Sequence, residues 1–451
     1  MRQKKMGLSR RGFLGGAAAA AATFLVVPRH VLGGEAGPAP SGRINIAGIG
    51  VGGQGHGDVK SVSGDNNIVA LCDVDEAKAS GIFREFPDAK KYKDFRKMFD
   101  EMEKGIDAVV IGTPDHTHAV VAMAAIKRKK HVYCEKPLAH SLAEVRALTK
   151  AAKDYDVVTQ LGNQGHSWED IRLFCEWIWD GAIGKVQRID LGCDRVNSAL
   201  DDLDKAKEGE PVPPTLDWDL WLGPAQPRPY SHTIHPYNWR GWVPFGNGTI
   251  GDWTCHVFDP VFWAFDLGAP STIVAQVRDW DQRTQGDAFP KGDIIRYEFP
   301  AKGNRGPITV TWYSGTEKIP QAKELERGRE GVDTGAYVYG DKGVIMYGSH
   351  GARPVRIIPE EKMKAYKQPE KKIPRVRGGH SGDWVNAIRE GRKAGSDFSY
   401  GGPLTEIAML GVIAIKMSGT KLIWDAVNAK FTNVPAANQL LNPPYRNGWT
   451  L

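Results

Sequence analysis

A glycine-rich turn joins the first apolar run after the amino terminus to the start of a predicted helix. The run covers residues 44–49, and Gly48, Gly50 and Gly53 have the G-x-G-x-x-G spacing. The first glycine permits a tight turn, the second lets backbone N–H groups approach a pyrophosphate, and the helix amino terminus favours negative charge. Glycine-rich turns are common, so the motif alone is weak. Its place between a strand and a helix predicts a dinucleotide-binding loop.

The first half of the chain alternates strand-like and helix-like patterns. Between the later strands, residues 117–129 and 142–155 have the apolar spacing of amphipathic helices. Alternation of this kind is typical of a parallel sheet. The sequence therefore predicts a doubly wound α/β domain, a Rossmann fold, over residues 37–165. Its predicted strands are residues 44–49, 68–72, 108–111, 131–134 and 157–161.

Beyond residue 166, strand-like runs follow one another with few helical patterns between them. Such runs predict a second domain of the α+β class over residues 166–380, with a largely antiparallel open sheet. Helical patterns at residues 383–390 and 405–417 predict a helical segment, residues 381–451, that packs back on the first domain. The runs of the second domain are residues 186–191, 273–277, 294–299, 308–312 and 337–339.

The first 36 residues differ in composition from the rest of the chain. Arg10 and Arg11 precede an uncharged, alanine-rich stretch that ends at Val27, the pattern of a twin-arginine export signal. A retained membrane anchor is the alternative, but the stretch is shorter than a spanning helix of about 20 residues needs. We therefore expect a periplasmic or otherwise exported protein with no membrane span in the mature chain. Outside this segment 53 basic residues face 52 acidic ones, which gives no reason to expect a nucleic-acid partner.

Asp73 ends the second predicted strand, 20 residues beyond Gly53. A carboxylate at this position can bind the ribose hydroxyls of a dinucleotide and would repel a 2′-phosphate. The following Val74 and Asp75 offer no cation for such a phosphate, so NAD is favoured over NADP. The alternative is that Asp73 only caps the helix that begins near Glu76.

Two further strand ends carry polar residues. Thr113 and His118 follow the third strand, and the turn Glu135-Lys136-Pro137 follows the fourth. The carboxyl ends of parallel strands form the edge at which ligands bind. A lysine there can meet a cofactor ribose on one side and a substrate hydroxyl on the other. No Cys/His/carboxylate cluster accompanies these residues, so we expect no metal.

The segment 251–259 places Asp252, His256 and Asp259 on one face if it is helical. A carboxylate that orients an imidazole makes a general base that is usable near neutral pH. In isolation the pattern is more often a surface salt pair. Upstream, Trp239 and Arg240 lie in an aromatic region, residues 230–253, that includes Tyr237 and suits the faces of a sugar ring. Many of these rings could equally belong to the core.

Together, Gly112-Thr113-Pro114 with His118, Glu135-Lys136-Pro137 and Asp252-x-x-x-His256 resemble the Gfo/Idh/MocA oxidoreductases. The resemblance runs from about residue 43 to the carboxyl terminus. It implies that Thr113, His118, Glu135 and Lys136 contact the cofactor and that Lys136 also reaches the substrate hydroxyl. His256 would accept the proton, and Asp252 would orient the histidine or the substrate.

The resemblance also implies an activity. The chain would transfer a hydride between a sugar or cyclitol hydroxyl and a tightly bound NAD, with Lys136, Asp252 and His256 at the substrate. The aromatic region adds Trp239 and Arg240 to the expected substrate contacts. A redox-neutral NAD-dependent glycosidase that acts through a keto-sugar is the alternative. A sugar-sensing or partner-binding protein without catalysis stays open, although a binder has no need of a lysine and an acid–base pair. A homo-oligomer formed through the second sheet is expected.

Overall fold

The computed structural model describes residues 42–236 and 238–451. The predicted export signal, residues 1–36, and the predicted pocket residue Tyr237 lie outside the described residues.

Six parallel strands form the first sheet, in the order β3-β2-β1-β4-β5-β6. The order reverses beside β1, which opens a crevice at the carboxyl ends of β1 and β4. This arrangement confirms the predicted Rossmann fold. The strands are β1 (Asn45–Ile49), β2 (Asn67–Cys72), β3 (Lys90–Tyr92), β4 (Ala108–Ile111), β5 (His131–Cys134) and β6 (Thr159–Leu161). The helices are α1 (Gln54–Val62), α2 (Glu76–Glu85), α3 (Phe95–Met102), α4 (Asp115–Lys127) and α5 (Leu142–Asp154).

The second sheet has nine strands, in the order β13-β12-β11-β7-β10-β9-β8-β14-β15. Only β7 and β10 pair in parallel, so the prediction of a largely antiparallel sheet is confirmed. The strands are β7 (Val186–Cys193), β8 (Thr272–Val277), β9 (Gly292–Phe299), β10 (Ile308–Gly315), β11 (Gly335–Gly340), β12 (Val344–Gly348), β13 (Val355–Ile358), β14 (Leu422–Asp425) and β15 (Lys430–Phe431).

Helices and short 3₁₀ turns connect the two sheets and cover the second one. The helices are α6 (Glu169–Trp179), α7 (Lys205–Glu208), α8 (Trp218–Leu222), α9 (Gly248–Val257), α10 (Asp259–Ala264), α11 (Gln282–Gln285), α12 (Glu360–Ala365), α13 (Gly379–Glu390), α14 (Phe398–Lys416) and α15 (Pro435–Asn438). The 3₁₀ turns that matter for the sites are Gln164–Ser167 and Asn238–Gly241.

The carboxyl-terminal segment is only partly the helical unit that the sequence predicts. Helix α13 packs on α1, and α14 packs on α5 of the first domain. Beyond α14 the chain adds β14 and β15 to the edge of the second sheet, so this part of the prediction is wrong. Both strands are too short to give a clear period-two pattern. The last residues return to the first domain, where Lys127 Nζ donates to the carbonyl of Leu451 at 3.0 Å.

Helix α14 has the composition of a membrane span. Within the described part of the chain it is the one helix that is long and apolar enough to cross a bilayer, and 83% of its apolar window is buried inside the protein. It therefore serves as a core helix that touches both domains.

Candidate active site

The glycine loop after β1 has the close contacts that only glycine permits. Gly50 has a φ of +75°, and a Cβ on it would lie 2.5 Å from the backbone nitrogen of Thr113. A Cβ on Gly48 would lie 2.7 Å from side-chain carbons of Val51 and Val59. By contrast, no atom lies within 4 Å of a Cβ placed on Gly53. The loop is therefore tightly packed on the sheet and leaves open space at Gly53, where α1 begins.

Asp73 stands at the carboxyl end of β2, opposite this loop. Its carboxylate accepts hydrogen bonds from the backbone N–H groups of Gly52, at 2.7 Å, and Asp75, at 2.9 Å. Burial raises the pKa of Asp73 to about 6, although these hydrogen bonds oppose the shift. Helix α2 is capped by Asp75, which accepts from the N–H groups of Ala77 and Lys78. Capping therefore does not account for Asp73.

A pocket of about 340 Å³ runs from the glycine loop to the second domain. Gly50 and Gly53 line it together with Asp73, Thr113 and Glu135. Open space beside a helix amino terminus, next to a carboxylate at the end of β2, fits a dinucleotide with its pyrophosphate at α1 and its ribose at Asp73.

Two lysines in the pocket lining supply the cations that the residues directly after Asp73 do not offer. Lys78 is close enough to Gly52 that a Cβ on the glycine would lie 2.8 Å from the lysine Cβ. Lys93 follows β3 and pairs with Glu76 at 3.1 Å. Val74 and Asp75 directly follow Asp73 in the sequence, whereas Lys78 comes from the first turn of α2 and Lys93 from the turn after β3.

His118 connects the turns that follow β4 and β5. One ring nitrogen, Nδ1, lies 2.7 Å from the carbonyl oxygen of Pro137, and Nε2 lies 2.8 Å from that of Thr113. Burial lowers the pKa of His118 to about 4, and a neutral ring donates to only one of these two carbonyl oxygens at a time. His118 is not among the residues that line the pocket, and it holds Thr113 and the Lys136 turn in fixed relation.

Lys136 reaches from the first domain to helix α9 of the second. Its Nζ lies 2.5 Å from Asp252 Oδ1 and 3.3 Å from the Asp252 carbonyl oxygen. Arg240 Nε donates to the same carboxylate oxygen at 3.2 Å, and Asn197 Nδ2 donates to the other at 3.1 Å. Three donors therefore fix one carboxylate at the junction of the domains.

The charges in this cluster stabilise one another. Burial would lower the pKa of Lys136, but the Asp252 carboxylate outweighs burial and raises it. Burial would raise the pKa of Asp252, but Lys136 and Arg240 hold it well below its usual range. At neutral pH the cluster therefore consists of two cations and one anion, which leaves a net positive charge beside the pocket.

His256 lies one helical turn after Asp252 and is 3% exposed. Asp252 directs its hydrogen bonds to Lys136, Arg240 and Asn197, and neither ring nitrogen of His256 makes a hydrogen bond within the described residues. The interaction between Asp252 and His256 is thus through space. Burial, with the nearby Lys136 and His350, holds the pKa of His256 well below its usual value, so the ring is neutral.

His350 is a neighbour of His256 that the sequence analysis missed. The two ring centroids are 4.1 Å apart, and Trp253 packs against both. His350 comes from the loop between β12 and β13, where its φ of +51° is unusual for a residue other than glycine. The loop packs closely against the 3₁₀ turn Gln164–Ser167, because a Cβ on Gly351 would lie 2.2 Å from the carbonyl oxygen of Gly165.

Two buried carboxyl groups in the pocket lining have raised pKa values. Burial raises the pKa of Asp115, at the start of α4, to about 7, and Asn247 Nδ2 donates to it at 3.0 Å. Burial, together with the charge of Asp58, raises the pKa of Glu135 to about 8. Both groups stand beside Lys136 in the pocket lining.

Comparison with known proteins defines the family. Residues 43–163 match the model described as an oxidoreductase family with an NAD-binding Rossmann fold. Residues 203–451, more than half of the chain, match the model of the same family's carboxyl-terminal alpha/beta domain. The chain belongs to the Gfo/Idh/MocA oxidoreductase family. The resemblance seen in the sequence is thereby confirmed.

Its relatives include two curated dehydrogenases. The chain is 28% identical over 176 residues to myo-inositol 2-dehydrogenase of Thermotoga maritima. These aligned residues make up 39% of this chain and 48% of the relative. It is 32% identical over 244 residues to levoglucosan dehydrogenase of Pseudarthrobacter phenanthrenivorans. These aligned residues make up 53% of this chain and 52% of the relative. The chain thus spans about half the length of these two relatives.

A solved structure shares the fold over most of the chain. The WlbA dehydrogenase from Bordetella pertussis, in complex with NADH and UDP-GlcNAcA, covers 85% of this chain and 98% of its own, with a TM-score of 0.58. Its sequence identity is 14%, so the likeness concerns the fold.

Among the residues that the sequence predicts at the substrate, Trp239 and Arg240 line the pocket with Lys136. The Arg240 guanidinium carbon lies 4.2 Å from the centroid of a Trp239 ring, which orients both side chains. Trp242, from the same aromatic region, is fully buried and belongs to the core. Asp259 is separate from Asp252 and His256, since it accepts hydrogen bonds from Asn163, at 3.1 Å, and Tyr400, at 2.5 Å.

Asn197, Asn247 and His350 were missed because each reaches the site from a different loop. Asn197 follows β7, Asn247 precedes α9, and His350 follows β12. None has a local motif, so only the pairing of β7 with β10 and β11 could have indicated their position. Asp115, by contrast, lies two residues after Thr113 and could have been found from the same strand end.

Proposed function

We propose that this protein is an NAD-dependent dehydrogenase that oxidises a secondary hydroxyl of a sugar or cyclitol. The observation that carries the proposal is Lys136, which stands between the glycine-loop pocket and the Asp252 cluster with its ammonium group 2.5 Å from a carboxylate. A dehydrogenase needs a cation at the point where the cofactor ends and the substrate hydroxyl begins. A dinucleotide-binding protein without such chemistry would gain nothing from a buried lysine there.

NAD, when bound, supplies the hydride acceptor. The residues that would hold it are the glycine loop at the pyrophosphate, Asp73 at the adenosine ribose, and Thr113 with Glu135 nearer the nicotinamide. The name of the matching family model, an NAD-binding Rossmann fold, supports this choice of cofactor.

Lys136 then binds the oxygen of the substrate hydroxyl and stabilises the negative charge that develops there. Its pKa is raised by Asp252 against the effect of burial, so the ammonium form persists through the neutral range. Asn197 and Arg240 hold Asp252, and Asp252 holds Lys136, so the ammonium group does not reorient during the reaction.

His256 accepts the hydroxyl proton in this proposal. A base must be neutral before it acts, and burial with the nearby Lys136 keeps the pKa of His256 low enough for that. Neither of its ring nitrogens is committed to a described partner. Arg240 and Trp239 would face the remaining hydroxyls, since a guanidinium donates to oxygen and an indole face packs on C–H groups.

The substrate class follows from the names of the relatives, myo-inositol 2-dehydrogenase and levoglucosan dehydrogenase. Both names specify polyhydroxylated rings without charge, in keeping with the tryptophan and the hydroxyl-binding cations at this site. The redox-neutral glycosidase that the sequence left open is not favoured, because these relatives are dehydrogenases.

The test is reduction of NAD by the purified protein, followed by the near-ultraviolet absorbance of reduced nicotinamide. We would add myo-inositol, levoglucosan, free aldoses and chromogenic glycosides, each with and without exogenous NAD. A lasting rise with a cyclitol or sugar supports the dehydrogenase. A rise without added NAD would further support tight cofactor binding. Release of the chromophore with no lasting rise would replace the proposal with the glycosidase.

Export and assembly are also proposals. We propose that residues 1–36 direct the folded protein out of the cytoplasm and that the second sheet forms a homo-oligomer. Replacing Arg10 and Arg11 with lysine should retain the protein in the cytoplasm, as cell fractionation would report. Sedimentation equilibrium of the purified protein would reveal a single monomeric species if the oligomer does not form.

A further inference from the structure

A second pocket, of about 440 Å³, lies between α6, α13 and the extended segment at residues 373–377. It shares no lining residue with the cofactor pocket. Its floor contains His166 and Trp263, whose rings stack at a centroid distance of 4.6 Å. The charged residues that line it are five cations, Arg172, Arg375, Arg377, Arg392 and Lys393, and two carboxylates, Asp383 and Glu390.

Three of the five cations are neutralised by carboxylates. Arg375 forms ion pairs with Glu169 and Glu176, at 2.8 Å and 2.6 Å. Arg392 pairs with both carboxylates of the lining, at 2.9 Å and 2.5 Å. Lys393 pairs with Asp397 at 3.2 Å. The remaining two cations, Arg172 and Arg377, are therefore the lining cations without an ion pair to a described carboxylate.

Arg172 is 4% exposed and forms no ion pair with a described carboxylate. Its Nε donates to the carbonyl oxygen of Pro374 at 2.9 Å, and its Nη1 donates to those of His166 and Trp168 at 2.8 Å and 3.0 Å. These bonds fix the plane of the guanidinium group. Its Nη2 makes no hydrogen bond within the described part of the chain.

Arg377 stands at the rim of the same pocket. It is exposed and forms neither an ion pair nor a side-chain hydrogen bond among the described residues. Asn386, from α13, also lines the pocket and has an amide without a described partner. Donors without acceptors thus approach the cavity from three elements: α6, the extended segment and α13.

A buried guanidinium without a counter-ion is unfavourable unless an anion compensates it. The fixed plane of Arg172 and the exposed charge of Arg377 suit a tetrahedral dianion, because guanidinium groups bind phosphate through paired N–H donors. The centroid of the adjoining Trp263 ring lies 5.5 Å from the Arg172 guanidinium carbon, and the part of the ring that His166 and Arg172 leave uncovered would contact an apolar or sugar portion. We propose that this pocket is a binding site for a small phosphorylated molecule, distinct from the cofactor site.

The test is a calorimetric titration of the full chain, saturated with NADH so that the cofactor site cannot take the probe and no sugar can be oxidised. Inorganic phosphate, glucose 6-phosphate and glucose would be compared at constant ionic strength. We expect saturable binding of one phosphate per chain and tighter binding of the sugar phosphate, while glucose does not bind here. Equal affinity for phosphate and the sugar phosphate would support an inorganic phosphate site instead, with the same residues.

Two variants and a matched control decide whether this pocket is responsible. Arg377→Gln removes an exposed charge and should weaken phosphate binding about tenfold, which corresponds to about 1.4 kcal/mol. Arg172→Lys retains the charge without the fixed plane and should also weaken it. Arg329→Gln, on an exposed loop elsewhere, should leave it unchanged. No saturable binding in the wild type, or equal weakening in the control, would overturn the proposal. Arg377→Gln keeps the test valid if Arg172→Lys does not fold.

Discussion

The two ends of the candidate active site are built in different ways. At the cofactor end, Gly50, Asp73, Thr113 and Glu135 closely follow the carboxyl ends of parallel strands, so their positions follow from their places in the sequence. At the substrate end, Lys136, Asp252, Asn197 and Arg240 meet from four separate elements of two domains. The cofactor end depends on backbone geometry, whereas the substrate end depends on a charge network. Substitutions should therefore produce different defects at the two ends.

The largest expected effect is at Lys136. Lys136→Ala removes the cation that stabilises developing charge, and kcat/KM for the active sugar should fall about 10³-fold. NAD affinity should change little, because the glycine loop and Asp73 are untouched. Steady-state kinetics and a fluorescence titration with NADH would measure the two quantities. Lys153→Ala, on the exposed face of α5, is the control and should have no effect. If Lys136→Ala also lost NAD binding, the cofactor end and the substrate end would not be independent of each other.

Asp252→Asn should have the next largest effect. The carboxylate positions Lys136 and raises its pKa, so kcat should fall about 10²-fold through misplacement of the ammonium group. The active form is the charged lysine, which is lost as pH rises through its pKa. Because the substitution lowers that pKa, the alkaline limb of the pH–rate profile should move to lower pH. The exposed Asp88→Asn is the control. If the alkaline limb does not move, the titration of Lys136 is not what limits the rate at high pH.

At the cofactor end, two glycines should give contrasting defects. A Cβ at Gly53 meets no protein atom, so Gly53→Ala should fold normally but weaken NAD binding about tenfold, or about 1.4 kcal/mol. Gly50→Ala places a Cβ against Thr113 at a positive φ and should cost about 1–3 kcal/mol of folding stability. Urea unfolding and NADH titration measure both. Similar stability losses in the two variants would contradict the open space at Gly53.

A smaller effect is expected at His350, the neighbour of His256. Removing the ring in His350→Ala takes away a group that lowers the pKa of His256, so the acid limb of kcat/KM should move to higher pH. The rate at the optimum should fall less than about tenfold, since His350 is proposed to act through His256. The exposed Lys364→Ala, on α12, is the control, since Ser349 itself lies 3.0 Å from the His350 ring. A fall as large as that of Lys136→Ala would instead give His350 a direct contact with the substrate.

The smallest effect concerns the choice of nucleotide. Asp73→Asn removes the charge that repels a 2′-phosphate while Lys78 and Lys93 remain in the lining. The ratio of NADP to NAD affinity should therefore rise by a few fold, up to about tenfold. Fluorescence titrations with NADH and NADPH would measure it. If the wild type already binds NADPH and NADH with equal affinity, the attraction of the two lysines for the 2′-phosphate outweighs its repulsion by Asp73.

The sequence could predict the cofactor end because strand periodicity and the glycine spacing are local signals. The parallel order of the first sheet then follows, and with it the common edge shared by Gly50, Thr113 and Lys136. Strand β3 was missed because it has only three residues, two of them exposed lysines. The network around Asp252 could not be predicted, since Asn197 and His350 come from loops whose positions depend on how β7 and β12 each pair with β11 in the second sheet.

The most direct test of the central claim follows the hydride itself. Myo-inositol or levoglucosan, whichever reduces NAD, would be prepared with deuterium on the oxidised carbon and given to the wild type and to Lys136→Ala. Mass spectrometry of the recovered cofactor should find deuterium on the nicotinamide ring in the wild type and, over the same time, little in the variant. Oxidised or cleaved sugar with no deuterium in the cofactor, or equal transfer in both proteins, would contradict the account.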